Sequence, residues 1–315
     1  MNRMFVSVIV AAIHVVAGVS LAAEREVFDY DGQKSAPAGT KRIAFIASHE
    51  SYGGIGSHEF FAGSLYLARR INAVYPNAWA VVYTDDQWPK MAPDVNGIVV
   101  MINGGGGRAA DDPLIKAACD KGAGYMAVHW ATEVDKGRQG ASYDAWIGGH
   151  CESYWSVNPF WKPQMTIGRH PVANGVKPFA IVDEWLYHLR FVDGMAGITP
   201  VLSAVAPLET VHYQEGGQPS DLGGNADVLR SVQNKEPQVI AWAYDRKDGG
   251  RGFGFTGFHI YNNLANDNFR TILLNGVAWI SKLQIPETGV PSTTPTKEEL
   301  AELLQEAHPH QPAGR

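Results

Sequence analysis

Short, nearly continuous apolar runs constrain this chain more than any other feature. Residues 42–48 (Arg42-Ile43-Ala44-Phe45-Ile46-Ala47-Ser48), 79–83, 97–102 and 124–128 are each too short for a helix and apolar at successive positions. Runs of this kind belong to strands covered on both faces, as in a parallel sheet. The chain between them has helical character. In residues 57–74, Phe61, Leu65, Ala68 and Ile71 recur at helical spacing behind Ser57, a residue suited to the N-cap. Asp111-Asp112-Pro113 places acidic residues and proline where a helix begins, and Lys121-Gly122 stops it. Strands alternating with helices imply right-handed crossovers, an α/β fold and ligand sites beyond the strands' carboxyl ends.

The pattern changes after residue 150. In residues 181–192, Trp185, Tyr187, Leu189 and Phe191 alternate with Glu184, Leu186, His188 and Arg190, which predicts a strand in period two. Residues 201–205, 239–244 and 252–258 read as added strands, the last two joined as a hairpin by Arg246-Lys247-Asp248-Gly249-Gly250. Asn266 caps a final helix whose buried stripe is Phe269, Leu273, Leu274, Val277 and Ile280. Residues 208–236 are polar, hold no clear element and are expected as a surface loop near the site. Beyond Pro286 the chain is rich in Pro and Thr, and Thr296 with Glu299 offers a capping box for a short helix ending near Ala307.

Met1-Asn2-Arg3, the apolar stretch 5–19 and the small residues Ser20 and Ala22 have the form of a secretory signal peptide, residues 1–22, too short to span a bilayer. The expected organisation is then a leader over 23–40, one α/β domain over 41–282 and a Pro/Thr-rich tail over 283–315. The expected location is periplasmic or extracellular, with no stable membrane span after processing. Composition is that of an ordinary globular protein, 45% hydrophobic and 18% charged. A net charge of −6, without a basic stripe, argues against a nucleic-acid partner. Homo-oligomerisation stays open, as does a bridge between Cys119 and Cys151, whose separation sequence does not show.

His129 follows the run Gly124-Tyr125-Met126-Ala127-Val128, so it sits on the sheet edge where ligands bind. His58 and Glu59, in the loop after the first strand, emerge on the same edge as candidates to bind substrate. Glu184 and His188 are the candidate catalytic partners of His129. As strand residues their Cα atoms lie roughly 13 Å apart, too far to share a metal, whereas a helix would make them neighbours. Arg190 is read as an ion-pair partner of Glu184 or a holder of a substrate oxygen. His259 ends a Gly-rich strand and Asn263 follows it. Asn103 and Gly104–Gly107 lack the Gly-Lys-Ser/Thr ending of a phosphate loop, so no nucleotide is expected. Trp130, Trp155, Trp161 and Trp185 surround these motifs in sequence, and with Asn158, His, Glu and Arg they suit a sugar pocket, although aromatic rings also dominate cores.

Several segments resemble the ThuA-like (trehalose-utilisation) family. They are Ser57-His58-Glu59-Phe60, Ala127-Val128-His129-Trp130-Ala131, Trp155-Ser156-Val157-Asn158-Pro159, Asp183-Glu184-Trp185 with His188, and Gly252-Phe253-Gly254-Phe255-Thr256-Gly257 with His259. The resemblance runs from about residue 42 to residue 282. It implies a flavodoxin-like sheet of the class I glutamine amidotransferase type without the catalytic cysteine, His129 standing where that nucleophile would be. It also implies catabolism of trehalose or related glycosides, some of it through 3-keto sugars, and metal binding in some members. The expected function is thus an exported carbohydrate-catabolism protein that hydrolyses or cleaves a glycoside or 3-keto-disaccharide. His129 would act without covalent attachment, as acid, base or metal ligand, since histidine titrates near neutral pH. His129, His188 and His259 are the expected ligands of a divalent metal such as zinc. The competing expectation is a non-catalytic sugar-binding or interaction module.

Overall fold

The computed structural model describes residues 36–85, 91, 93–215 and 223–309. The expected signal peptide and most of the expected leader lie outside these residues. The first half runs β1 (Lys41–Ala47), α1 (Phe60–Val74), β2 (Ala78–Thr84), β3 (Gly97–Met101), α2 (Gly107–Asp111), α3 (Pro113–Asp120), β4 (Gly124–Val128) and α4 (Arg138–Trp146). Five two-residue strands follow: β5 (Gly149–His150), β6 (Phe160–Trp161), β7 (Thr166–Ile167), β8 (Asp183–Glu184) and β9 (Arg190–Phe191). The chain closes with β10 (Ile198–Val205), α5 (Ala226–Gln233), β11 (Pro237–Asp245), β12 (Arg251–Phe255), α6 (Asp267–Ile280) and α7 (Lys297–Ala307).

The central sheet has eight strands in the order β2-β1-β3-β4-β12-β11-β10-β7. From β2 to β12 all pairings are parallel, and from β12 outward all are antiparallel. The apolar runs follow directly from this layering. In β1, Ile43, Phe45 and Ala47 pack under α1, α6 and α7, while Ala44 and Ile46 pack against α2, α3 and α4. With both faces buried, every position must be apolar.

The helix-end signals in the sequence coincide with real caps. Asp112 accepts from the amides of Leu114 and Ile115 ahead of α3, Asn266 accepts from Asn268 and Phe269 ahead of α6, and Thr296 with Glu299 forms the capping box of α7. Three expectations are corrected. The first helix starts at Phe60, not at Ser57, because His58 turns left-handed at φ 50° and Ser57 bridges to Ile260. Residues 181–192 form no continuous strand, only β8, paired with β6, and β9, paired with β5. Between them His188 takes φ 58°, which breaks period-two alternation, and the Asp183 side chain ties the segment to residues 258–260. The polar stretch 208–236 contains α5, capped by Asn225, with Val228 and Val232 as its buried pair. Cys119 and Cys151 are buried and no disulfide joins them.

The register between β4 and β12 determines which residues meet at the sheet's carboxyl edge. Phe255 lies opposite Val128, so His129 and Thr256 leave the sheet side by side. Gly124, at the start of β4, lets α6 approach closely: a Cβ there would lie 2.1 Å from the carbonyl oxygen of Ile280. Gly124→Ala should therefore destabilise the fold by about 2 kcal/mol through overpacking, read as a lower urea midpoint at unchanged slope.

Candidate metal centre

Four segments meet at the carboxyl ends of the parallel strands. The loop after β1 brings His58, the turn after β4 brings His129, β8 brings Glu184, and the chain leaving β12 brings His259. One ligand-capable atom from each of these four residues lies within 4.8 Å of the others. His58 and His129 are buried, and both have left-handed backbone, at φ 50° and 54°. Such conformations are uncommon outside glycine and collect at functional sites.

The ring contacts define what the cluster can accept. His129 Nδ1 lies 2.9 Å from the carbonyl oxygen of Thr256, and His58 Nδ1 lies 2.8 Å from that of Tyr52. A carbonyl oxygen only accepts, so both Nδ1 atoms carry hydrogen. In the neutral rings the two Nε2 lone pairs then face each other across 3.2 Å. Two acceptors at that distance repel unless a proton or a cation lies between them. Backbone carbonyls that fix imidazole tautomers in this way are the usual outer partners of metal-binding histidines.

Glu184 adds the negative charge. Its Oε2 lies 3.4 Å from His129 Nε2 and 2.5 Å from His259 Nδ1, and its Oε1 accepts from the Asn158 amide at 2.8 Å. Burial alone would raise its pKa, but in acid, where the rings of His129 and His259 carry both protons, their hydrogen bonds and charge outweigh this and hold it at about 2. Burial, reinforced by His129, pushes His58 down to about 4 against the opposing pull of its Tyr52 hydrogen bond. A neutral imidazole beside an ionised carboxylate is the protonation state that metal ligation requires.

Asp183 is a further functional residue that the sequence did not single out. Its fully buried carboxyl accepts from the backbone amides of Phe258 (3.1 Å), His259 (2.9 Å) and Ile260 (3.4 Å) and from Asn263 Nδ2 (2.8 Å). This anchors the turn that presents His259. In sequence it stands only as one member of the Asp183-Glu184-Trp185 segment, with no role of its own.

Other residues singled out from sequence lie around the cluster in different roles. His188 does not join it. Its Nδ1 bonds the carbonyl of Trp155 at 3.1 Å, and His58 stands among the converging ligands where His188 was expected. Arg190 pairs with Glu152 at 2.9 Å, not with Glu184, and stacks 3.5 Å over Trp155. Trp155 is thereby held between Arg190 and His188, while Trp161 and Trp185 are buried in the core. Trp130 packs against both Tyr52 and His58. Asn263 is occupied by Val182 and Asp183, and Glu59 is buried against Gly56 and His308. The loop 103–107 packs near the turn after His129, where a Cβ on Gly106 would lie 2.4 Å from the carbonyl of Ala131.

The sequence matches the family described as ThuA, trehalose utilisation, over residues 77–280, more than half of the chain. The chain belongs to the ThuA family. This matched span contains His129, Glu184 and His259 and begins after His58. No curated protein matches the chain. Among solved structures it is similar to a ThuA-like protein from Bacteroides uniformis, at 13% identity and TM-score 0.49, covering 76% of this chain and 91% of that one. A ThuA-like protein from Parabacteroides merdae is similar at 13% identity and TM-score 0.47, covering 81% and 96%. A GMP synthase protein from Thermoplasma acidophilum is similar at 9% identity and TM-score 0.39, covering 77% and 95%. Membership of the ThuA family points to a role in carbohydrate utilisation.

The shifted groups make stability depend on acid. Glu184 titrates near 2 when folded and at its ordinary 4.5 when unfolded, so its contribution is present above 4.5 and is lost as pH falls from there through 2. His58 titrates near 4 when folded and at 6.5 when unfolded, so the unfolded chain takes the proton first and stability declines as pH falls from 6.5 to 4. In metal-free protein, His58→Gln should flatten the decline between pH 6.5 and 4 and keep the one below 4.5, as followed by urea unfolding at a series of pH values.

Proposed function

We propose that this ThuA-family chain is an exported, metal-dependent enzyme that cleaves a glycoside or a 3-keto-disaccharide. The observation that carries the reading is the pair of facing Nε2 atoms on His58 and His129, with Glu184 and His259 completing the set of donors. Three imidazoles and one carboxylate suit zinc among the common divalent ions. His58, His129, Glu184 and His259 would hold it. When bound, such an ion polarises a substrate oxygen or acidifies a water.

The chain's own residues do the remaining work. The carbonyls of Tyr52 and Thr256 hold two rings in one tautomer, and Asn158 donates to one oxygen of Glu184 while the other faces His129 and His259. In the metal-free site a short hydrogen bond joins His259 Nδ1 to Glu184 Oε2, and ligation through both of these atoms would release its proton. A glycosidase built on two free carboxylates fits poorly, since the neighbouring Asp183 is committed to five N–H donors.

Carbohydrate as the substrate class draws support from the rim. Tyr52, 59% exposed, stands beside His58 and Trp130, and Phe160, 54% exposed, stands against His259 with ring centroids 4.7 Å apart. β6 pairs Phe160 with Glu184, which fixes its position at the edge of the cluster. Open aromatic faces on both flanks of a polar centre suit the apolar faces of sugar rings.

Turnover of native and 3-keto disaccharides, with products identified by mass and NMR, tests the proposal and separates hydrolysis from elimination. His129→Ala should lower kcat/KM by at least about 100-fold, and a chelator should abolish activity that added zinc restores. Turnover at the wild-type rate in His129→Ala would refute catalysis at this centre, and sugar binding without turnover in the wild type would favour a binding module. Tyr52→Ala and Phe160→Ala should each raise KM by about 3- to 10-fold with kcat little changed.

A further inference from the structure

The carboxyl group next to His58 is among the most deeply buried in the molecule. The Glu59 side chain is 1% exposed, and burial of a carboxylate is tolerated only with partners. It has two. Oε1 accepts from the Gly56 amide at 2.9 Å, within its own loop, and Oε2 lies 2.8 Å from His308 Nε2, 249 residues away in sequence. Between these contacts sits His58, in left-handed backbone, its amide bonded to the carbonyl of His259 at 2.9 Å. A strained non-glycine residue persists where its surroundings over-determine it.

The helix that delivers His308 is secured without it. α7 has a capping box at its start, buries Leu300, Leu303 and Ala307, and accepts from Tyr261 Oη at the carbonyl of Leu300. Arg69 of α1 grips Glu306 through two hydrogen bonds, at 2.8 and 2.5 Å. His308, the C-cap residue, is thus presented to Glu59 by a docked element that lies beyond the span matched to the ThuA family.

We infer that Glu59 and His308 act as positioning residues, a clasp through which the C-terminal helix sets the loop of His58 and so governs metal capture. This rests on the reading of His58 as a ligand. Loss of His308 would leave a buried carboxylate without its second partner, and the loop would open to hydrate it. The metal would then meet three fixed donors and one wandering imidazole.

The full-length chain, freed of metal, is compared as wild type, His308→Ala, His308→Gln and Arg69→Ala. Hydrogen exchange at the amides of Gly56 and His58 should quicken about tenfold or more in His308→Ala, with β1 and β4 unchanged, and His308→Gln should restore most of the protection. In calorimetric titration with zinc, His308→Ala should bind about tenfold more weakly. Arg69→Ala, which loosens the same helix two residues from His308, should quicken exchange at the loop and weaken zinc binding by a smaller factor than His308→Ala. Unchanged exchange at Gly56 and His58 in His308→Ala overturns the clasp, and so does a larger effect from Arg69→Ala, which would make helix docking and not His308 the cause. If the wild type takes up no zinc, the metal reading fails by itself, and exchange in the metal-free protein still decides whether His308 sets the loop.

Discussion

The carboxyl group of Asp183 joins parts of the chain that the sheet alone would leave apart. Its segment has almost no ladder of its own, because β8 is two residues long. What fixes it is a set of hydrogen bonds to one turn: three successive amides from 258 to 260, and the side chain of Asn263. Hydrogen bonds to a charged group contribute about 1.5–3 kcal/mol each, enough together to offset the desolvation of one carboxylate. Asp183 also accepts from the amide of Glu184 at 2.8 Å. Both residues that meet at 2.5 Å across the site, Glu184 and His259, are therefore tied by their backbones to the same buried group.

The sheet supplies the complementary half of the arrangement. β1, β4 and β12 run parallel within one sheet, so the residues that follow them issue at one edge. Parallel pairing places His129 beside Thr256, whose carbonyl then selects the ring tautomer. Here the topology fixes the position of the imidazole, and a single backbone oxygen fixes its chemistry. The electrostatic tension between the rings of His58 and His129 follows from two independent contacts of this kind.

Sequence shows the buried parallel strands clearly, because β1 to β4 are apolar at nearly every position and only burial on both faces makes that sensible. Helix starts marked by Asp112, Asn266 and Thr296 are equally legible, since a cap is a local interaction among residues a few positions apart. Residues 181–192 mislead because alternating aromatics mimic a strand, whereas their burial comes from contacts with distant segments such as Phe255 and Phe269. His129 is legible from topology. His58 as a ligand, in place of His188, is not, since a left-handed turn at position 58 decides where its ring points. Asp183 and His308 depend on partners about 75 and 249 residues away, a distance at which pattern reading has no purchase.

The left-handed histidines bear on the history of such a site. Glycine takes up φ near +50° without strain, while a histidine there holds a conformation the rest of the fold must enforce. At positions 58 and 129 the residue that best suits the backbone is thus not the residue that can bind an ion. A lineage released from the chemistry would relax the backbone by taking glycine at either place, and would lose the packing of a buried ring and its hydrogen bond to the carbonyl of Tyr52 or Thr256. Relatives with glycine at both places would keep the scaffold without two of the centre's four donors.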